Sequence, residues 1–221
     1  MCGIIAAAST RNVGKLLVQG LHRMEYRGYD SAGIALHQLD GVAHLRTLGK
    51  VQLLEDRMIE EKPRSKLGIA HTRWATHGEP SETNAHPHKS NEEVFIVHNG
   101  IIENHLELKA ELEKEGYSFA SQTDSEIIAH LLDFNLKQGM TMIEAMFVSK
   151  ERLDGAYAIA AMHRDDESKL VIARQKSPLL IGLGTDEVFA ASDPLAISQL
   201  TNDFIFLEDG DVAEISADTY K

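Results

Sequence analysis

Met1-Cys2-Gly3-Ile4-Ile5-Ala6-Ala7-Ala8 opens the chain with an apolar run that ends in small residues. No positive residues precede the apolar stretch, and the run is too short for a signal peptide, so it reads as a buried first strand. Myristoylation requires glycine in second place, and Cys2 holds that place. The chain's single cysteine therefore stands at its extreme end, at the head of a core strand.

Beyond this strand, Val13, Leu16, Leu17, Gly20 and Leu21 share one helical face, which predicts an amphipathic helix over residues 12–24. Arg27-Gly28-Tyr29-Asp30-Ser31-Ala32-Gly33 is rich in turn formers, and residues 34–37 and 43–48 read as a hairpin. A second helix is expected over residues 51–61, stopped by Pro63. Apolar strands at 67–70 and 94–97 flank residues 76–93, which show no periodicity and contain Gly78, Pro80, Pro87, His77, His86 and His88. A loop that long between core strands is expected to serve function.

Asn104 is placed to cap a helix running to Gly116, with Leu106 and Leu112 along it. Thr123-x-x-Glu126 and Thr141-x-x-Glu144 both fit the capping box, which starts two more helices. The last third turns to strands, at residues 156–162, 170–173, 179–182, 188–191, 204–207 and 212–215. Strands, then helices, then strands predict a layered α+β architecture rather than βαβ alternation. With no repeat, linker or low-complexity tract, residues 1–221 read as a single domain.

Composition narrows the partners. The 221 residues carry 22 Lys and Arg against 34 Asp and Glu, a net charge of −12. With a pI near 5.3 and no long basic cluster, the footprint of a nucleic-acid binder is missing. No apolar run approaches the ~18 residues of a membrane span, so no membrane is expected. One cysteine excludes an intramolecular disulfide and a thiolate-rich zinc site, and points to a reducing, cytoplasmic setting. Small molecules or other proteins remain as partners.

Cys2 is the first candidate for chemistry. A lone cysteine is ordinarily a small buried hydrophobe. Its position alters that reading, because removal of Met1 would place the thiol and a free α-amine on one residue. A thiol of pKa about 8.5 is only about 3% thiolate at pH 7, whereas an α-amine of pKa about 7.8 is about 14% free base. The amine can serve as general base for the thiol and later protonate a leaving amine. Asn99-Gly100 follows a core strand. It fits a tight turn, and equally an oxyanion hole built from an Asn amide and an open Gly N–H.

His71-Thr72-Arg73-Trp74-Ala75-Thr76-His77-Gly78 is the densest polar and aromatic segment. It fits a strand running into a surface loop. It also fits a binding site in which Arg73 clamps a carboxylate and Trp74, the only Trp, covers the ligand. Asp124 either favours a helix N-terminus or faces a substrate ammonium. His71, His77, His86, His88 and His98 raise the alternative of a zinc hydrolase, with His86 and His88 pointing to one side of a strand. The helical HExxH pattern is absent and no carboxylate stands at a familiar spacing, so neither metal nor other cofactor is expected. Gly182-Leu183-Gly184 lacks the third glycine of a phosphate loop.

Taken in order, Cys2-Gly3-Ile4, residues 25–33, residues 68–78, Asn84-Ala85-His86-Pro87-His88, residues 97–104 and Thr123-Asp124 resemble the glutaminase domain of the glutamine–fructose-6-phosphate aminotransferases (glucosamine-6-phosphate synthases). This is a branch of the class II glutamine amidotransferases, and the resemblance covers essentially the whole chain. It implies a four-layer α-β-β-α sandwich of the N-terminal-nucleophile hydrolase type. It implies Cys2 as the nucleophile toward L-glutamine, Asn99 and Gly100 as the oxyanion hole, Arg73 on the substrate carboxylate and Asp124 on its ammonium. Trp74, Thr76 and His77 match the loop that closes over glutamine, while His86 and Arg27 match supports of that loop and of the nucleophile. The family further implies a C-terminal sugar-phosphate isomerase half that receives the ammonia, and a dimer when full length. This chain stops at Tyr220-Lys221, so that half is expected to be absent and the synthase reaction to need more than this chain. Rival readings are an amidotransferase with another acceptor and a non-catalytic glutamine-binding module.

Overall fold

The computed structural model describes residues 2–221. In chain order the elements are β1 (Gly3–Ser9), α1 (Gly14–Arg23), β2 (Ser31–Gln38), β3 (Gly41–Leu48), α2 (Val51–Glu61), β4 (Leu67–Arg73), β5 (His88–Ser90) and β6 (Val94–Ile102). They continue with α3 (His105–Lys114), α4 (Glu126–Lys137), α5 (Met142–Lys150), β7 (Gly155–His163), β8 (Leu170–Gln175), β9 (Leu180–Gly184), β10 (Glu187–Ala191), β11 (Phe204–Phe206) and β12 (Val212–Ile215). One sheet runs β11-β9-β10-β1-β4-β2-β3 and the other β12-β8-β7-β6-β5, antiparallel at every pairing.

Strand β1 shows why its sequence carries no polar alternation. Ile4, Ala6 and Ala8 face the gap between the sheets, while Ile5 and Ala7 face α1 and α2, so both faces are buried. Strand β6 does the same on the other side: Phe95 and Val97 point into the gap, Val94 and Ile96 toward α3, α4 and α5. Alanines recur in the gap, among them Ala158, Ala160 and Ala190, and let the two sheets approach closely. The result is the expected four layers, helices, sheet, sheet, helices. Helix α4 is the most buried helix of its layer, with Ile127, Ile128, Leu131 and Leu132 at most 1% exposed. Each such side chain contributes about 1.5–3 kcal/mol of burial.

Helix α2 has the bounds that its apolar spacing predicts, and all six strands of the last third form. Other expectations need correction. Thr123 and Glu126 make no capping box: α4 begins at Glu126, with Ser125 before it and no side-chain cap. Glu126 instead accepts from the N–H groups of Ala120 and Ser121, and Thr123 Oγ1 pairs with His88 Nε2. A tertiary partner has taken Thr123, and the preceding loop backbone has taken Glu126. Asn104 precedes α3 but spends its amide on the carbonyl of Arg152 and the N–H of Asp154, and Leu106 is exposed where Leu108 and Leu112 are buried. The loop at 76–93 is not structureless throughout, since β5 adds an edge to the second sheet. Thr141 and Glu144 do form a reciprocal capping box.

Candidate active site

Antiparallel pairing of β1 with β4 sets Gly3 opposite Thr72, which brings Cys2 alongside the end of β4. There the Trp74 N–H donates to Cys2 Sγ at 3.2 Å, and the thiol lies 3.5 Å from the Trp74 carbonyl. Burial pushes the Cys2 thiol up from its ordinary pKa, more than the Trp74 N–H pulls it down. A thiol in this setting needs a base to become a nucleophile.

The second sheet supplies the opposite wall. Asn99 on β6 donates from Nδ2 to the Cys2 carbonyl oxygen at 3.2 Å, and Gly100 follows it on the cavity wall. Gly100 has φ +138°, and a Cβ there would stand 1.9 Å from the Ala156 carbonyl oxygen. Only glycine keeps the strand pairing at this position.

Between the sheets lies a cavity of about 20 Å³, lined by Cys2, Gly100 and Ser125 together with Arg73, Trp74, Thr76, His77, His86 and Asp124 of the expected site. That volume is about the size of one water. The 76–80 segment closes it down: Arg73, only 4% exposed, donates to the carbonyl oxygens of His77 at 2.5 Å and Gly78 at 3.0 Å. Asp124 is buried, accepts from the Ile102 N–H at 2.7 Å and lies 4.0 Å from His77 Nδ1. Arg73 and Asp124 thus place one positive and one negative charge around the cavity, the pair that an α-amino acid requires.

Arg27 and Asn99 do not line the cavity; both reach Cys2 through its carbonyl oxygen, Arg27 Nη1 at 3.3 Å. Arg27 is held in turn by Asp193, which accepts from Arg27 Nη2 and from the Tyr26 hydroxyl, each at 2.5 Å. Those hydrogen bonds, with one from the Leu195 N–H, outweigh burial and hold the Asp193 carboxyl below its ordinary range. Nothing local in the sequence marks Asp193. Asp30 is a second residue that reasoning from sequence left without a role, although it lies in the quoted 25–33 motif. Its carboxylate accepts from the Ala75 N–H at 2.5 Å and lies 3.9 Å from Arg73, which ties the root of the loop to β2.

His86, His88 and His98 each engage one ring nitrogen with a protein group, while His98 Nε2 has no hydrogen-bond partner among the described residues. His86 Nδ1 accepts from the His98 N–H, His98 Nδ1 pairs with Ser125 Oγ, and His88 pairs with Thr123. His86 and His88 do approach each other, but as an edge-to-face pair at 4.4 Å rather than as neighbours on one strand. Among the described residues no three His, Cys, Asp or Glu side chains converge on a metal position. A larger cavity of about 490 Å³ lies behind the 120–126 segment and contains none of the expected site residues. No helix among the described residues is long and apolar enough to cross a membrane.

Comparison with known proteins identifies relatives of the chain. Residues 71–199 match the family model described as "Glutamine amidotransferase domain". The chain is 53% identical to the glutamine–fructose-6-phosphate aminotransferase (isomerizing) of Haemophilus ducreyi over 98% of its own length and 35% of that protein. It is 54% identical to the protein of that name from Escherichia coli K12, over 98% of its own length and 36% of the relative. It therefore spans about a third of the length of these curated relatives. Among solved structures, the glutamine phosphoribosylpyrophosphate amidotransferase of B. subtilis, in complex with ADP and GMP, superposes with a TM-score of 0.85 at 26% identity. That match covers all of this chain and 48% of the other. The four-layer sandwich is thus of the N-terminal-nucleophile amidotransferase type.

Proposed function

The chain belongs to the glutamine amidotransferase family as a glutaminase domain of the glutamine–fructose-6-phosphate aminotransferase kind, and from that premise we propose that residues 1–221 form one domain that hydrolyses L-glutamine to L-glutamate and ammonia. The observation that carries this reading is the meeting of the only cysteine, at position two, with Asn99 and Gly100 from the opposite sheet.

Met1 lies outside the described residues; its removal frees the α-amine of Cys2. The amine, directly or through one water, takes the thiol proton as Sγ attacks the carboxamide carbon of glutamine. The C=O electron pair moves onto oxygen, where Asn99 Nδ2 and the Gly100 N–H receive the negative charge. Collapse of that intermediate breaks the C–N bond, the amine's proton leaves with ammonia, and a γ-glutamyl thioester remains. Water, deprotonated by the same amine, then releases glutamate and regenerates the thiol. Arg73 holds the substrate carboxylate and Asp124 its ammonium. Since the cavity has room for about one water, glutamine enters as the segment carrying Trp74, Thr76 and His77 lifts and then closes over it. His86 and Arg27 hold the surroundings of the loop and the nucleophile. No metal or other cofactor takes part.

In a full-length protein the ammonia passes to a C-terminal sugar-phosphate isomerase half, which converts fructose 6-phosphate to glucosamine 6-phosphate in a cytoplasmic dimer. The domain itself is tested by measuring glutamate release from chains with and without Met1. Activity is expected only when Cys2 is the first residue. Undiminished activity with Met1 retained, or in Cys2→Ala, would overturn the reading.

A further inference from the structure

The Asn99 amide is held by contacts on both of its sides. Nδ2 faces the Cys2 carbonyl oxygen at 3.2 Å, and Oδ1 faces His71 Nε2 at 2.9 Å. The same His71 nitrogen lies 3.0 Å from the carbonyl oxygen of His98. Both of its neighbours are acceptors that carry no hydrogen, so Nε2 must hold the ring proton. His71 is completely buried on β4, and burial pulls its pKa down to about 3. The ring is therefore neutral near pH 7 and that hydrogen is its only one, leaving Nδ1 as a bare lone pair. Among the described residues, no donor reaches Nδ1. The ring plane is fixed from below by His86, stacked at 4.1 Å, whose own Nδ1 accepts from the His98 N–H.

We propose that His71 is a positioning residue for the oxyanion hole: its Nε2–H locks the Asn99 amide so that Nδ2 points to the Cys2 side of the cavity. An amide turned by 180° would set donor against donor at His71 and acceptor against acceptor at Cys2. One Nδ2 hydrogen is engaged by the Cys2 carbonyl, and the other stays available for charge that develops on a bound carboxamide oxygen. His71 itself does not line the cavity and touches no substrate. This role rests on the glutaminase reading above.

The consequence is a loss confined to turnover. Removing an oxyanion donor outright costs about 10²- to 10³-fold in kcat, which bounds what misdirecting that donor can cost. His71→Phe, which keeps the stack on His86 but has no N–H, is expected to lower kcat by about 10- to 100-fold. KM for glutamine should stay within about threefold, because Arg73 and Asp124 are untouched. His71→Gln, whose amide N–H₂ reaches the position of Nε2, is expected to restore most of the turnover. In an Asn99→Ala background His71→Phe should cost less than about twofold more, since its effect passes through Asn99. Imidazole ¹⁵N shifts of the unmodified protein at pH 7 should report a neutral ring with the hydrogen on Nε2. An active protein in which His71→Phe leaves kcat unchanged, or costs as much with Asn99→Ala as without it, overturns the role alone. So does a ring that carries its hydrogen on Nδ1. A chain that hydrolyses no glutamine once Met1 is removed overturns the underlying reading and this role together.

Discussion

Asn99 and Cys2 stand 97 positions apart in sequence, yet the side-chain amide of the first donates to the carbonyl oxygen of the second at 3.2 Å. Cys2 precedes β1 of the seven-stranded sheet, and Asn99 lies on β6 of the five-stranded one. The site therefore exists only where the two sheets face each other, and the alanine-rich gap that sets their spacing also sets the distance from Cys2 to Asn99.

That relationship makes Asn99→Asp a severe change despite its equal shape. It places a charged acceptor where an amide donates to the Cys2 carbonyl and, in the proposed mechanism, to the developing oxyanion. Steady-state glutaminase kinetics should show kcat down by about 10²- to 10³-fold for Asn99→Ala and further for Asn99→Asp. Turnover in Asn99→Ala equal to that of the unmodified chain would contradict the assignment.

Gly28 supports Trp74. It has φ +72° and ψ 145°, a region open almost only to glycine, and a Cβ there would stand 2.8 Å from Trp74 Cζ3. Gly28→Ala is expected to cost about 1–3 kcal/mol in backbone strain and to push the half-exposed indole off its seat. KM for glutamine should rise several-fold. Because Trp74 is the only tryptophan, its fluorescence reports the displacement directly. Unchanged emission together with unchanged KM would show that Gly28 does not seat the ring.

Buried histidines make the fold acid-sensitive well above the carboxylate range. Burial lowers His44 and His71 to about 3, and lowers His86, His88 and His98 as well. In the unfolded chain such rings take up a proton below about pH 6.5, so the unfolded state binds more protons and stability falls as pH drops from there. His44 and His71 each remove about 2 kcal/mol between pH 7 and pH 5, and the other three act in the same direction. Urea denaturation midpoints measured at the two pH values should fall markedly. A constant midpoint would mean that these rings are not neutral in the folded state.

What could be read before folding was whatever short-range chemistry decides. The run from Gly3 to Ala8 is buried on both faces and so lacks alternation, and Val51–Glu61 has both its spacing and a stop at Pro63. The cavity residues were legible because Arg73, Trp74, Thr76 and His77 follow one another at a strand end, and Cys2 declares itself by position. Partnerships across the fold were not. Thr123 and Glu126 fit a local motif, but His88 and the 120–121 backbone offer them better partners than each other. Asp193 supports Arg27 from 166 positions away, a contact no window of sequence contains. The three-residue β5 is too short for any period to appear.

We assign Cys2, freed of Met1, the role of nucleophile toward the glutamine side chain. This role is tested most directly by incubating the protein with a diazoketone analogue of glutamine and locating the adduct by mass spectrometry. One adduct per chain is expected, on Cys2, suppressed by excess glutamine and absent from Cys2→Ala. An active protein that remains unlabelled at Cys2, or that carries the label elsewhere, would contradict the assignment.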